Sequence, residues 1–249
     1  KTKLYDFSHF FSEIKNIFID GDMVIGNLET PVAGEYYKYS GYPTFNAPVS
    51  LINNIKDVGF THLVVSNNHS LDRGWKGLFN TIYNVTNNSI VPVGAKQHEE
   101  EKNYSVFVKN NIQVGILAYT YGTNSFSLTK DKVFMLNKIN KDNIKLDLEN
   151  VKKEKPDIVI VNMHFGDEYK TDSNNYQKDI AQYTCDMGAD IIIGNHPHVL
   201  EPIEWIISKD GHKCFVMYSL GNFVSSMGLL YTDLGGIMRL DIIKKVDGE

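Results

Sequence analysis

The sequence predicts an α/β fold built on a mostly parallel central sheet, and three observations carry that expectation. Short apolar runs rich in Val, Ile and Leu alternate with stretches of helical periodicity. Several of these runs have no polar interruption, as strands buried on both faces do. Most end abruptly in a turn that delivers Asn, Glu or His, the residue types that open α/β sheets gather at their strand carboxyl ends. With 249 residues and 42% apolar content the chain can bury one large core, so a single domain over residues 1–249 is expected.

Taken in order, Phe7, Phe10, Phe11, Ile14, Ile17 and Phe18 recur at helical spacing and predict an amphipathic helix over residues 7–18. Residues 22–28 read as a strand stopped by Pro31, with Asn27 and Glu29 at its carboxyl end. A tyrosine-rich loop follows, then a helix opened by Pro48 and ended by Gly59. Residues 62–66 form the next buried strand and run into Asn67, Asn68, His69 and Asp72, ahead of a helix over about 75–87. A short strand is expected at 90–93, and residues 104–108 with 112–119 read as a hairpin over Asn110 and Asn111. Residues 120–133 are polar and irregular, and residues 140–155 read as a charged surface helix that Pro156 ends. The strand at 157–163 delivers His164, and a helix over 174–187 ends at Gly188. Ile191, Ile192 and Ile193 run into Gly194 and then His196 and His198, with Pro197 between them. A strand at 213–220 leads to Asn222, and 236–243 reads as the last strand.

In an extended segment residues two apart point the same way, so both histidines around Pro197 are expected to aim into one cavity. Neutral imidazole is the commonest metal ligand. Four strand ends supply Glu29, Asn68 with His69, His164, and His196 with His198, which together read as a metal site. Mixed nitrogen and oxygen donors suit zinc, manganese or iron rather than calcium. A carboxylate can bridge two such cations about 3.5–4 Å apart, a pairing that activates water against a phosphoryl or acyl group. The long polar connections at 35–42 and 120–132 are expected to border that site.

Composition excludes other classes. The net charge of −5 comes from scattered acids and bases without a basic stripe, which excludes nucleic acid as a partner. No apolar run approaches the roughly 20 residues that span a bilayer. The chain opens on Lys1 without an initiator Met and reads as a piece of a longer protein. Cys185 and Cys214 read as buried small hydrophobes in a helix and a strand. The sequons at Asn84, Asn87 and Asn103 are expected by chance in a chain this rich in Asn.

Five segments, N-L-E-T-P-V, S-N-N-H-S-L-D-R-G, H-F-G-D-E-Y, G-N-H-P-H-V and Y-S-L-G-N-F, stand in that order along essentially the whole chain. They resemble the CapA or PgsA family of poly-γ-glutamate capsule biosynthesis proteins, within the calcineurin-like metallophosphatase superfamily. The resemblance implies a metallophosphatase-like αββα sandwich with mostly parallel central sheets and a dinuclear divalent metal centre. It also implies a bacterial protein on the extracellular face of the cell membrane, anchored by a segment outside this chain, with membrane subunits of the capsule synthase as partners. Glu29 then stands for the bridging acid and Asn68 for a metal ligand. His164 and His196 complete the second metal, and His198 reaches the first. His69 matches the general acid. Ser70 stands where an acid often follows that histidine, so Asp72 is read as the residue orienting His69. Asn27, Asn67, Glu168, Tyr169 and Asn222 fall beside these positions as candidate substrate contacts.

The superfamily's opening aspartate motif is not recognisable. Asp22 precedes Glu29 by seven residues, ~23 Å along one strand, so the motif is expected upstream of Lys1. Two metals (Mn, Zn or Fe) are therefore expected in the complete protein and one or none in this chain. The activity expected is that of a metal-dependent phosphoesterase. A non-catalytic assembly factor for the polymer, or a metal-dependent amidase on γ-glutamyl chains, remains the alternative.

Overall fold

The computed structural model describes residues 5–245. The chain forms two compact units, Lys1–Asn103 with Ala118–Lys138, and Tyr104–Leu117 with Ile139–Glu249.

In the first unit β1 (Ile25–Asn27), β2 (His62–Val64) and β3 (Val91–Val93) make an all-parallel sheet in that order. The helices are α1 (Lys15–Phe18), α2 (Ser50–Val58) and α3 (Gly74–Asn87). α2 buries Ile52, Ile55 and Val58, one face at helical spacing, and stops where Gly59 takes the left-handed conformation at φ 116°. Phe11, Phe18, Ile52, Leu63, Leu71, Leu78 and Val85 belong to the unit's core. The helix expected over 7–18 is a 3-10 turn (Ser8–Phe10) followed by the short α1. Neighbouring residues on a helix point about 100° apart, so Phe10–Phe11 and Ile17–Phe18 cannot all face one core. Phe11 and Phe18 are buried, whereas Phe10 and Ile17 are exposed.

The second unit is organised on β4 (Ser105–Lys109), the greater part of β5 (Ile112–Thr120), β6 (Ile158–His164), β7 (Ile191–Asn195), β8 (Ile203–Ile207) and β9 (Lys213–Met217). Their order across the sheet is β4-β5-β6-β7-β9-β8. β6, β7 and β9 run parallel, β4 and β5 form the expected antiparallel hairpin, and β8 lies antiparallel on β9. α4 (Lys141–Lys153) is capped by the Asn140 side chain, which accepts from Asp142 and Asn143. Lys152 and Lys153 in its last turn complement the helix dipole. α5 (Asn175–Asp186) begins with a reciprocal capping box between Asn174 and Gln177. Ile144, Leu148 and Val151 of α4, Ile180 and Ala181 of α5, and Val161, Met163 and Ile192 of the strands are buried.

Three expectations change. β8 was not anticipated: its apolar Ile203, Trp205 and Ile207 are exposed along the edge of the sheet. The strand expected over 236–243 is absent. A Gly221–Gly235 bridge and a hydrogen bond from Gly236 N–H to the Leu220 carbonyl lead into a stretch that joins no ladder among the described residues. β9 already has β7 on one side and β8 on the other, so it offers no free edge. Finally, Cys185 of α5 and Cys214 of β9 are joined in a disulfide rather than packed as free thiols. Both are fully buried. Among the described residues no helix is long and apolar enough to cross a membrane.

Candidate functional site

In the first unit β1 and β2 are in parallel register, with Asn27 opposite Val64, so their carboxyl ends leave the sheet side by side. The turn after β2 is fixed by Asn67, which is fully buried. Its Nδ2 donates to the Leu28 carbonyl at 2.8 Å and to Asn27 Oδ1 at 3.3 Å, and its Oδ1 accepts the His69 N–H at 3.1 Å. Asn27 Nδ2 in turn donates to Glu29 Oε2 at 2.9 Å. The two asparagines expected to meet substrate thus hold Glu29 and His69 in place.

His69 Nδ1 lies 2.8 Å from Asp72 Oδ2, and both side chains are buried. A carboxylate only accepts, so Nδ1 carries the proton that the pair shares. Ser70 is consumed in the turn: its Oγ accepts the Asn67 N–H at 2.8 Å and donates to the Val65 carbonyl at 2.6 Å. That turn brings the acid three residues on into reach of the imidazole. The same Asp72 oxygen accepts the Phe45 N–H at 2.7 Å, and the Phe45 ring meets the His69 ring edge-on at 4.5 Å between centroids. Arg73 Nη2 donates to the Thr44 carbonyl at 3.0 Å and also to Ser40 Oγ. The tyrosine-rich loop is therefore tethered to the His69–Asp72 pair, with Tyr36 and Tyr42 left exposed. Asn68 Nδ2 donates to Asn124 Oδ1 at 3.3 Å, so the 120–132 loop adjoins the same turn. Sequence reasoning missed Phe45, whose contact with Asp72 spans 27 residues and has no local signature.

In the second unit His164 closes β6 opposite Asn195 of β7. The His164 and His196 ring centroids are 4.9 Å apart, and those of His196 and His198 are 6.0 Å apart. One ring nitrogen of His196 lies within 4.8 Å of one of His198. The segment is not extended as expected: His196 has φ 106° and His198 φ 62°, both in the left-handed region. Backbone of that kind costs about 1–3 kcal/mol per residue and persists where its surroundings enforce it. Here Gly194 sets the entry, since a Cβ there would lie 1.8 Å from the Tyr218 carbonyl oxygen. Tyr169 fixes the exit, donating its N–H to the Pro197 carbonyl at 2.8 Å and stacking its ring on His198 at 6.0 Å. Asn222 Oδ1 lies 2.9 Å from His198 Nδ1, while Asn222 Nδ2 donates to the Thr232 carbonyl at 2.9 Å. With Nδ1–H donating to that amide, the His198 lone pair sits on Nε2, the arrangement seen when a second group orients a ligating histidine. Glu168 is exposed.

The three imidazoles of the second unit are donors of the kind that suits a divalent transition metal rather than calcium.

The fold is of the mixed α/β class, with parallel-rich sheets that carry imidazoles and amides at their strand ends. The description "Bacterial capsule synthesis protein PGA_cap" matches residues 1–227, and the chain belongs to that family. It is 32% identical over 247 residues to the PGA biosynthesis protein CapA of Bacillus subtilis (strain 168), covering 96% of this chain and 62% of that protein. It is 34% identical over 238 residues to the capsule biosynthesis protein CapA of Bacillus anthracis, covering 90% of this chain and 54% of that protein. The chain thus spans between about half and two thirds of the relatives it matches. A solved hypothetical protein from Thermus thermophilus shares the fold at a TM-score of 0.51 and 15% identity, covering 86% of this chain and 70% of that one.

Proposed function

We propose that this chain is a metal-dependent hydrolase module of phosphoester type that serves capsule assembly at the bacterial cell envelope. The buried His69–Asp72 pair, 2.8 Å apart at the carboxyl end of β2, is the observation that carries the reading. Glu29 and Asn68 in the first unit, and His164, His196 and His198 in the second, are the side chains that would serve divalent cations (Mn, Zn or Fe). When bound, such a cation supplies Lewis acidity and acidifies a coordinated water. His69 gives a proton from Nε2 to the departing oxygen, and Asp72 steadies the imidazolium through Nδ1. Phe45 covers one edge of the His69 ring, and the exposed tyrosines beside it offer flat surfaces to substrate. Poly-γ-glutamate as the polymer served, capsule synthase membrane subunits as partners, and a membrane anchor elsewhere in the protein belong to the same proposal. The Cys185–Cys214 disulfide supports an oxidising compartment, as the outer side of the membrane is.

The test is to load the protein with Mn²⁺, measure bound metal, and follow bis(p-nitrophenyl) phosphate hydrolysis in wild type and His69→Gln. A loss of about 10²–10⁴-fold in turnover with metal retained is expected. Cleavage of a γ-glutamyl peptide with the phosphodiester untouched would replace the reading with an amidase. Retained metal with turnover of neither substrate would leave an assembly factor and refute hydrolysis.

A further inference from the structure

Gln177 and Glu201 have no part in the chemistry above, yet both are buried polar side chains beside the histidine-bearing loops. Gln177 is fully buried in the first turn of α5, and Glu201, three residues past His198, is 7% exposed. Gln177 uses both ends of its amide: Oε1 accepts the Asn174 N–H at 2.8 Å, and Nε2 donates to Glu201 Oε2 at 2.6 Å. Gly166, two residues after His164, rests directly on that amide. A Cβ there would lie 2.6 Å from Gln177 Nε2, and its φ of +109° suits glycine. The start of α5 therefore touches the loop leaving β6 and, through Glu201, the loop leaving β7. The Glu201 N–H donates to the Ser219 carbonyl at 3.1 Å, which ties the same point to the segment after β9. Asn174 Nδ2 donates to Asp167 Oδ2 at 2.8 Å, closing the loop on its own helix. A buried amide–carboxyl pair is costly unless fully engaged, and Glu201 Oε1 finds no hydrogen-bond partner among the described residues. The fold keeps the pair in spite of that.

We propose that Gln177 and Glu201 form a clamp that positions residues 165–174 and 196–201 together, so that His164, His196 and His198 are presented as one set. Its purpose rests on the metal-centre reading, whereas its existence does not. Burial pushes the Glu201 carboxyl up to about 7. The hydrogen bond from Gln177 opposes that rise, and Asp167 and Asp172 add to it. Glu204, which accepts from the Tyr218 hydroxyl at 2.9 Å, and Tyr218 itself are the other titratable groups on that side. The clamp is thus made with a neutral carboxyl. It loosens as pH rises past 7, when a charged Glu201 faces Asp167 and Asp172.

Amide hydrogen exchange on the full chain, metal-free and Mn²⁺-loaded, at pH 6 and pH 8.5, tests this. In wild type, protection of residues 165–174 and 196–201 should fall together by about tenfold at the higher pH, after correction for intrinsic exchange. Glu201→Gln, which mimics the neutral acid, should abolish that fall. Glu201→Ala should lower protection of both segments at either pH. The exchanged pair Gln177→Glu with Glu201→Gln restores one donor and one acceptor and should recover it. Mn²⁺ affinity, read by titration calorimetry, should weaken about tenfold in Glu201→Ala. Segments that respond independently, or an alanine variant that leaves residues 165–174 protected, would overturn the clamp. If wild type takes up no Mn²⁺, the metal-centre reading falls while the exchange data still decide the clamp.

Discussion

Acidifying the protein should weaken its first unit through one imidazole. His62 opens β2, is 1% exposed, and has its Nδ1 2.8 Å from Thr61 Oγ1. Burial pushes its pKa down from 6.5 to about 4. The unfolded chain therefore takes up the proton first. The stability His62 contributes is present above pH 6.5 and is lost as pH falls from there through 4. The separation between those values corresponds to ~3 kcal/mol, of which about 2 kcal/mol should already be gone at pH 5. The assay is urea unfolding at pH 7.5 and pH 5 in a Trp205→Phe background, where Trp75 is the remaining tryptophan and lies in the first unit. His62→Gln keeps a hydrogen-bonding amide but cannot titrate. It should lose about 2 kcal/mol less than its parent between the two pH values. If both proteins lose the same amount, the buried imidazole is not the acid-sensitive group and the reasoning fails.

Gly194→Ala should cost more than ~3 kcal/mol, seen as a large drop in melting temperature, because the added carbon would lie 1.8 Å from the Tyr218 carbonyl oxygen and neither backbone can yield cheaply. Asn222→Ala, by releasing His198 Nδ1 and the Thr232 carbonyl, should weaken Mn²⁺ binding about 10–100-fold in calorimetric titration and also lower the melting temperature of the metal-free protein. Replacing Cys185 and Cys214 together by Ala should cost about 3–4 kcal/mol in chemical unfolding, the loop-closure value for a 29-residue separation, and dithiothreitol should produce the same loss only in wild type.

The strands that carry candidate ligands were legible because a strand buried on both faces must be apolar throughout, and the turn that ends it must be polar. β7 obeys this, β2 and β6 depart from it at the buried His62 and Asn162, and Asn68, His69, His164, His196 and His198 fall where it places them. The His69–Asp72 pair was expected from the resemblance, Ser70 standing where an acid often follows that histidine, and the two side chains lie 2.8 Å apart. Features that depend on which partners are free stayed hidden. Residues 236–243 alternate like a strand, but pairing slots are a property of the finished sheet, and β9 has none. β8 turns its apolar side chains outward, against the burial that makes a strand recognisable. The left-handed turn at His196 and His198 is imposed by Gly194, Tyr169 and Asn222 from three other places in the chain. The strand expected over 22–28 contracts to Ile25–Asn27, so an extended rise covers only part of the path from Asp22 to Glu29 and the separation worked from it no longer stands.

The sulfur bridge between α5 and β9 also redirects mechanical load. Tension entering at the two ends of the chain passes from Cys185 to Cys214 through the covalent link, bypassing the 29-residue separation between them. About 100 Å of contour is thereby withheld from extension, at roughly 3.6 Å per residue. β7, β8 and the turn bearing His196 and His198 all lie inside that withheld stretch. A force-extension trace should show the missing length reappear only after a reductant is added. Until then, pulling can draw out the rest of the second unit but not the segment that carries its histidine pair.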